Sequence, residues 1–219
     1  MQFVMKLSVI ICCLFLVACQ NKHSKEMQTK NSSVNNGLKE AISSEVRSLD
    51  AENVVLQTIL NRKSVRTYSD KEISQEEVNN LLKAGMAAPS SKDRRPWHFI
   101  VISDKVMLES LGSQLKNASC LKGANKAIVV CGDEELSDNC WYLDCAAAAQ
   151  NILIAAEAIG IGAVWTAVYP YDDRIEIVNR TFDLQKNIHP LAIIPLGYPL
   201  EENKAKDKFD VSRIHYNKW

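Results

Sequence analysis

Residues 139–159 constrain the fold more than any other stretch of the chain. Trp141, Cys145, Ala148, Ile152, Ala155, Ala156 and Ile159 recur at helical spacing, which predicts one long helix. Ala146 to Ala149 are all small, so a second helix can approach closely. A helix that is apolar nearly all round belongs at the centre of a domain or of a dimer. It does not read as membrane-spanning, because Asp144, Gln150, Asn151 and Glu157 interrupt the apolar character. Gly160 is placed to end it as a C′ residue.

The flanking pattern alternates between helix and strand. Residues 51–61 read as a helix, followed by a polar segment, Arg62 to Tyr68, in a loop or short strand. Ser74-Gln75-Glu76-Glu77 forms a capping box. The helix it opens carries Val78, Leu81, Leu82, Gly85 and Met86 on one face, and Pro89 ends it. Trp97–Ile102 has the length of a strand, 105–117 reads as a helix, and Lys126–Cys131 as a buried strand. Ala163–Tyr169 and Leu191–Leu196 read as strands with a helix between them near 172–182. Such alternation predicts an α/β or α+β domain. No repeat of solenoid or propeller length is visible.

The first residues form an address rather than part of the fold. Lys6 supplies a positive start, and Leu7 to Leu16 is an apolar run too short to span a bilayer. It ends in Leu16-Val17-Ala18-Cys19, which resembles the lipobox of bacterial lipoproteins. That implies a signal peptide over 1–18, a lipid on Cys19 and anchorage in a bacterial cell envelope, on its periplasmic or surface side. Residues 19–50 then serve mainly as a polar tether. Leu38, Ile42, Val46 and Leu49 allow a short amphipathic helix within it. The domain proper spans 51–219. Of the remaining cysteines, Cys120, Cys131, Cys140 and Cys145, none forms a Cys-x-x-Cys pair, so a zinc or redox motif lacks support. Cys131 and Cys145 read as small buried hydrophobes.

Charge narrows the function. The chain has 26 basic and 26 acidic residues, whereas nucleic-acid binding needs a basic surplus. There is no Gly-x-Ser-x-Gly, no His-Glu-x-x-His and no Walker loop. Gly160-Ile161-Gly162 lacks the third glycine of a dinucleotide fingerprint, since Trp165 stands there. Four polar motifs remain. Arg62-Lys63-Ser64-Val65-Arg66 groups three cations and a hydroxyl, donors suited to an anion; alone, such a run is most simply a solvated face. Ala88-Pro89-Ser90-Ser91-Lys92-Asp93-Arg94-Arg95-Pro96-Trp97 joins a helix to a strand. Gly160 to Thr166 has small residues that let a flat ligand approach the backbone. Lys204, Lys206 and Lys208 form a second cationic cluster.

In this order the motifs resemble the nitroreductase family of FMN-dependent oxidoreductases, over about residues 54–217. The resemblance rests on Arg62 to Arg66, on Ala88-Pro89-Ser90-Ser91 with Arg95-Pro96-Trp97-His98-Phe99, on Ala155 to Trp165, and on Leu196-Gly197-Tyr198-Pro199 with Lys206 and Lys208. It implies an α+β, three-layer fold with a central, mostly antiparallel sheet flanked by helices, assembled as an intertwined homodimer with FMN at the interface. Carried over by motif, Arg62, Lys63, Ser64 and Arg66 hold the phosphate and ribityl chain, and Lys206 and Lys208 close on the phosphate. Pro89, Ser90 and Ser91 of the other subunit line the isoalloxazine, and Val164, Trp165, Thr166 and Ala167 meet its second face. The implied reaction is ping-pong: NADH or NADPH delivers electrons, leaves, and an electron-poor acceptor such as a nitroaromatic or a quinone takes its place.

Two positions depart from the family pattern. Asp93 and Arg95 stand where Asn and Gln are common. An ionised Asp only accepts hydrogen bonds. Asp93 is left to accept from the flavin N3–H or to pair with Arg94 or Arg95. The leader raises a second point, since NAD(P)H is scarce outside the cytoplasm. A rival reading is therefore a non-catalytic flavin-binding lipoprotein that relays electrons or carries its ligand.

Overall fold

A computed structural model describes residues 53–219. The leader, the tether with Cys19 and the helix expected at 38–49 lie outside the described residues. The described chain falls into a unit Val55–Asp207 and a unit that includes Val54 and Lys208–Trp219. Among the described residues no helix is long and apolar enough to cross a membrane.

Five helices follow the sequence pattern. They are α1 (Val54–Asn61), α2 (Gln75–Met86), α3 (Lys105–Gln114), α4 (Trp141–Ala158) and α5 (Asp172–Phe182). The capping box at Ser74 is formed in full. Its hydroxyl accepts from the Glu77 amide at 3.2 Å and the Glu77 carboxylate accepts from the Ser74 amide at 2.7 Å. Val78, Leu81 and Gly85 of α2 are buried as expected, but Met86 is 54% exposed. The helix ends there, so Met86 leaves the stripe at the last turn. Helix α4 stops as its sequence predicts: Gly160 is left-handed at φ 75°. The Gly160 amide donates to Glu157 O at 3.2 Å and the Ile161 amide to Ala156 O at 2.8 Å, the paired bonds of a Schellman motif. Ile159, expected in the α4 stripe, caps the helix instead and is 40% exposed.

The sheet has the order β1-β2-β5-β3, with β4 also on β5. Its strands are β1 (Trp97–Ile102), β2 (Lys126–Asp133), β3 (Gly162–Ala163), β4 (Thr166–Ala167) and β5 (Ile188–Gly197). Every pairing among them is antiparallel. On one face Ile128, Val130, Ile194 and Leu196 pack under Leu81 of α2 and Cys145, Ala148 and Ile152 of α4. On the other, Ala127, Val129, Cys131 and Ile193 pack on Leu108 and Leu111 of α3 and Val178 of α5. The result is the three-layer α+β arrangement. Each fully buried Val or Ile of β2 contributes roughly 1.5–3 kcal/mol, which explains why this strand reads as a continuous apolar run.

Three element boundaries differ from expectation. The helix expected over 105–117 ends at Gln114, because Leu115 turns extended (φ −97°, ψ 91°) and is buried, and a 3-10 stretch follows over Lys116–Gly123. The strand expected over Ala163–Tyr169 is two short pieces. Gly162↔Gly197 and Ala163↔Leu196 on one side, and Thr166↔Ile193 and Ala167↔Ala192 on the other, keep the same register across unpaired Val164 and Trp165. Strand β5 begins at Ile188 rather than Leu191. Pro190 has no amide to donate, and the ladder takes up a bulge at Val130/Cys131 opposite it.

Candidate functional site

The cationic segment Arg62–Arg66 is held along the start of β3. The Val65 amide donates to Ala163 O at 3.0 Å. Val65 is buried, and a Cβ on Gly162 would come within 2.7 Å of its Cγ1; the missing side chain is what lets the two backbones approach. Lys63 Nζ lies 2.7 Å from Glu157 Oε1, near the end of α4. Ser64 and Arg66 are exposed and Arg62 half-exposed. Neither arginine makes an ion pair among the described residues. The segment is further anchored by Tyr68, whose buried hydroxyl donates to Val65 O at 2.8 Å. Burial pushes that phenol far above its ordinary range.

The second motif forms a strained loop between α2 and β1. Lys92, Asp93 and Arg95 are left-handed, with φ of 53°, 55° and 52°. Such non-glycine residues cost of order 1–3 kcal/mol each and persist where the surroundings over-determine them. Here the fasteners are visible. The Arg95 amide donates to Ser90 Oγ at 2.9 Å, and the Ser91 amide donates to Asp144 Oδ1 at 2.9 Å. The other Asp144 oxygen accepts from Ser137 Oγ at 3.0 Å. Asp93 pairs with Arg95 and not with Arg94: Arg95 Nε donates to Asp93 Oδ1 at 2.8 Å and Nη2 to Oδ2. That hydrogen bond holds the Asp93 carboxyl below its usual range. Pro89 is exposed, and Ser90 and Ser91 are half-buried.

In the third motif Val164 and Thr166 are buried, while Trp165 and Ala167 are half-exposed. Thr166 Oγ1 donates to Ile193 O at 2.7 Å, so its hydroxyl serves β5. The unpaired Val164-Trp165 dipeptide therefore offers ligand contact through backbone and ring. Lys206 is exposed in the sheet-bearing unit, and Lys208 is exposed in the terminal unit. Within Val55–Asp207 the fold brings Arg62–Arg66 against β3, next to Val164 and Trp165. Among the described residues no hydrogen bond or ion pair joins the Pro89–Asp93 loop to that segment within one protomer. A separate depression of about 320 Å³ opens beside His98, Cys131, Asp133, Asp183 and Asn187, and it contains none of the predicted cofactor contacts.

Two site-supporting residues escaped sequence reasoning. Asp144 and Glu157 register in the sequence only as breaks in an apolar helix. Their partners in the two motifs, Ser91 and Lys63, lie 53 and 94 residues away. A carboxylate on an otherwise apolar helix was the available signal, since such a group is retained only with a partner.

Comparison with known proteins agrees with this geometry. The profile of the nitroreductase family matches residues 59–198. A protein of Methanothermobacter thermautotrophicus, provisionally named NADH dehydrogenase/NAD(P)H nitroreductase, is 44% identical over 167 residues, covering 75% of this chain and 87% of its own length. A crystal structure from Parabacteroides distasonis under the same provisional name is 54% identical with a TM-score of 0.76, covering 77% of this chain and all of that one (100%). An FMN-dependent nitroreductase from Clostridium difficile R20291 is 32% identical with a TM-score of 0.70, covering 74% of this chain and 98% of that one. The ordered motifs, the antiparallel three-layer sheet and these matches agree, and the chain belongs to the nitroreductase family.

Proposed function

We propose that this chain is an FMN-dependent oxidoreductase that moves electrons from NAD(P)H to electron-poor acceptors such as nitroaromatics or quinones. The observation that carries the reading is the cationic segment stitched to β3. It turns Ser64 and Arg66 outward beside a stretch of unpaired backbone at Val164-Trp165. That donor set suits a ligand with a phosphate at one end and a flat ring at the other. When bound, FMN supplies reversible hydride transfer.

The residues divide the work. Arg62, Ser64 and Arg66 present charge and a hydroxyl to the phosphate and ribityl chain. Lys206 and Lys208 add cations from the C-terminal stretch, on the strength of their motif. Val164, Trp165, Thr166 and Ala167 form one wall for the ring. Pro89, Ser90, Ser91 and Asp93 supply the other wall from a second copy, in a homodimer. Exposed apolar groups on α1 and α4, Ile59, Leu60, Tyr142 and Leu143, support assembly of two copies. Cations gathered at the site favour a negatively charged reduced ring. Donor and acceptor occupy one pocket in turn, as ping-pong kinetics require. Lipid on Cys19 anchors the protein to a bacterial cell envelope.

The test uses the full-length chain purified in detergent. Its visible spectrum is recorded, and the chromophore is released by denaturation and identified. The expected result is about one FMN per subunit, reduced anaerobically by NADH or NADPH and reoxidised by a nitroaromatic or quinone. A colourless protein that cannot be reconstituted with FMN overturns the reading. Bound FMN that neither nicotinamide reduces would favour the electron-relay or carrier reading, which the leader and the scarcity of NAD(P)H outside the cytoplasm support.

A further inference from the structure

We propose that Lys63 is a positioning residue: clasped by Glu157, it fixes the Arg62–Arg66 segment in place and does not itself give its charge to the phosphate. The assignment rests on the FMN reading above and changes the role of one cation within it.

Burial along the segment alternates. Val65 is buried and Lys63 is turned to Glu157, whereas Ser64 and Arg66 are exposed. An extended chain directs successive side chains to opposite sides. Lys63 and Val65 thus form the fastened side, and the residues between and after them form the presented side. Both fasteners end on the same short stretch of chain. Lys63 reaches the last turn of α4, and Val65 bonds Ala163, just beyond the turn at Gly160.

The charge logic points the same way. Glu157 sits two residues before the cap of α4 at Ile159. The unbonded carbonyls there make a helix C-terminus negative, so a carboxylate is unfavourable unless a cation offsets it. Lys63 is that cation. The side chains are 24% and 18% exposed, less than in any other ion pair among the described residues. Solvent and salt screen such a pair less than a surface pair. Moving Lys63 to a phosphate would leave Glu157 half-buried, uncompensated and close to the incoming anion. Paired, the two cancel. The field that a phosphate meets then comes from Arg62 and Arg66, neither of which is ion-paired among the described residues.

The two possible roles of Lys63 give opposite signs for one substitution. If Glu157 merely restrained a phosphate ligand, Glu157→Gln would free Lys63 and tighten FMN binding. If the pair is the clasp, Glu157→Gln loosens the segment and weakens FMN binding.

Flavin-fluorescence titrations with FMN and with riboflavin are made on apoprotein from the full-length chain in detergent. The set is wild type, Lys63→Met, Glu157→Gln and the exchanged pair, Lys63→Glu with Glu157→Lys. The expected result is that each single substitution lowers the preference for FMN over riboflavin about tenfold. The exchanged pair should restore it to within about threefold of wild type. Tighter or unchanged FMN binding in Glu157→Gln, with weaker binding in Lys63→Met, overturns the clasp and makes Lys63 a direct ligand. Equal weakening of both flavins overturns it too, since a generally destabilised fold does not distinguish the phosphate. An exchanged pair no better than Lys63→Met has the same force. A wild-type protein with no affinity for either flavin removes the FMN reading itself, an outcome separate from these.

Discussion

At the scale of single residues, the two inner cysteines show how burial silences a reactive group. Cys131 and Cys145 are buried to zero exposure, on opposite faces of the sheet, and are not disulfide-bonded. Burial pushes both thiols up to about 12, and for Cys145 the neighbouring Cys131 and Asp144 add to the effect. The thiolate is the nucleophile, so iodoacetamide at pH 8 should leave both unmodified in the folded protein and label both in denaturant, as mass spectrometry would read. Labelling of either in the folded protein would contradict this. The linked stability has a definite sign. A folded pKa above the unfolded value means the neutral thiols favour the fold. That contribution is whole below about pH 8.5 and is lost as pH rises toward the folded value. Urea midpoints should therefore fall between about pH 9 and 12, and substituting Cys131→Ala and Cys145→Ala together should flatten that part of the profile.

At the scale of elements, the loop from Pro89 to Arg95 depends on one carboxylate. Asp144 accepts from the Ser91 amide and from Ser137, and it is only 7% exposed. Asp144→Ala leaves two polar groups without a partner in a half-dry place and should cost about 2–4 kcal/mol. Asp144→Asn keeps an acceptor for Ser91, and Ser137 can reverse its bond, so the loss should be under about 1 kcal/mol. Chemical denaturation of the two variants checks the difference; equal losses would mean that the carboxylate charge, not its geometry, holds the loop. This element also marks how far the sequence could be read. The ends of α2 and α4 were legible because Ser74, Glu77 and Gly160 carry their own local signals. The break at Leu115 and the early start of β5 were not. The first follows from where Leu115 must be buried, and the second from a register shift that leaves Leu191 of β5 unmatched between Pro190 and Ala192. The cationic segment was legible as a donor set, but its division into fastened and presented sides was not, because Glu157 lies 94 residues away.

At the scale of the whole molecule, the proposed cofactor should behave as a structural ligand as well as a reagent. A ligand that binds only the folded state stabilises it by about 2.7 kcal/mol at a hundredfold excess over its dissociation constant. For a chain of this size that is a rise of roughly 5–10 °C in Tm. Thermal melts with FMN and riboflavin at equal concentration test the origin of the gain. FMN should raise Tm by more, since only FMN carries the phosphate that the Arg62 and Arg66 charges are proposed to meet. An equal rise would mean that the ring alone carries the affinity. At this scale the alternation of helices and strands made an α/β or α+β class legible, whereas the three-layer arrangement was legible only through the family resemblance of the motifs.

The interrupted ribbon of β3 and β4 limits how this region can change over evolutionary time. Its register is identical before and after Val164-Trp165, so the gap is fixed in length though its side chains are not fixed in kind. Exchanging either residue would alter what a ring bound as proposed touches. Adding or deleting one slips β4 by a single position and turns Thr166 away from Ile193, reversing inside and outside along that strand. Homologous sequences should therefore vary here by substitution and almost never by insertion, so that new acceptors are explored by changing letters in a word whose length is fixed.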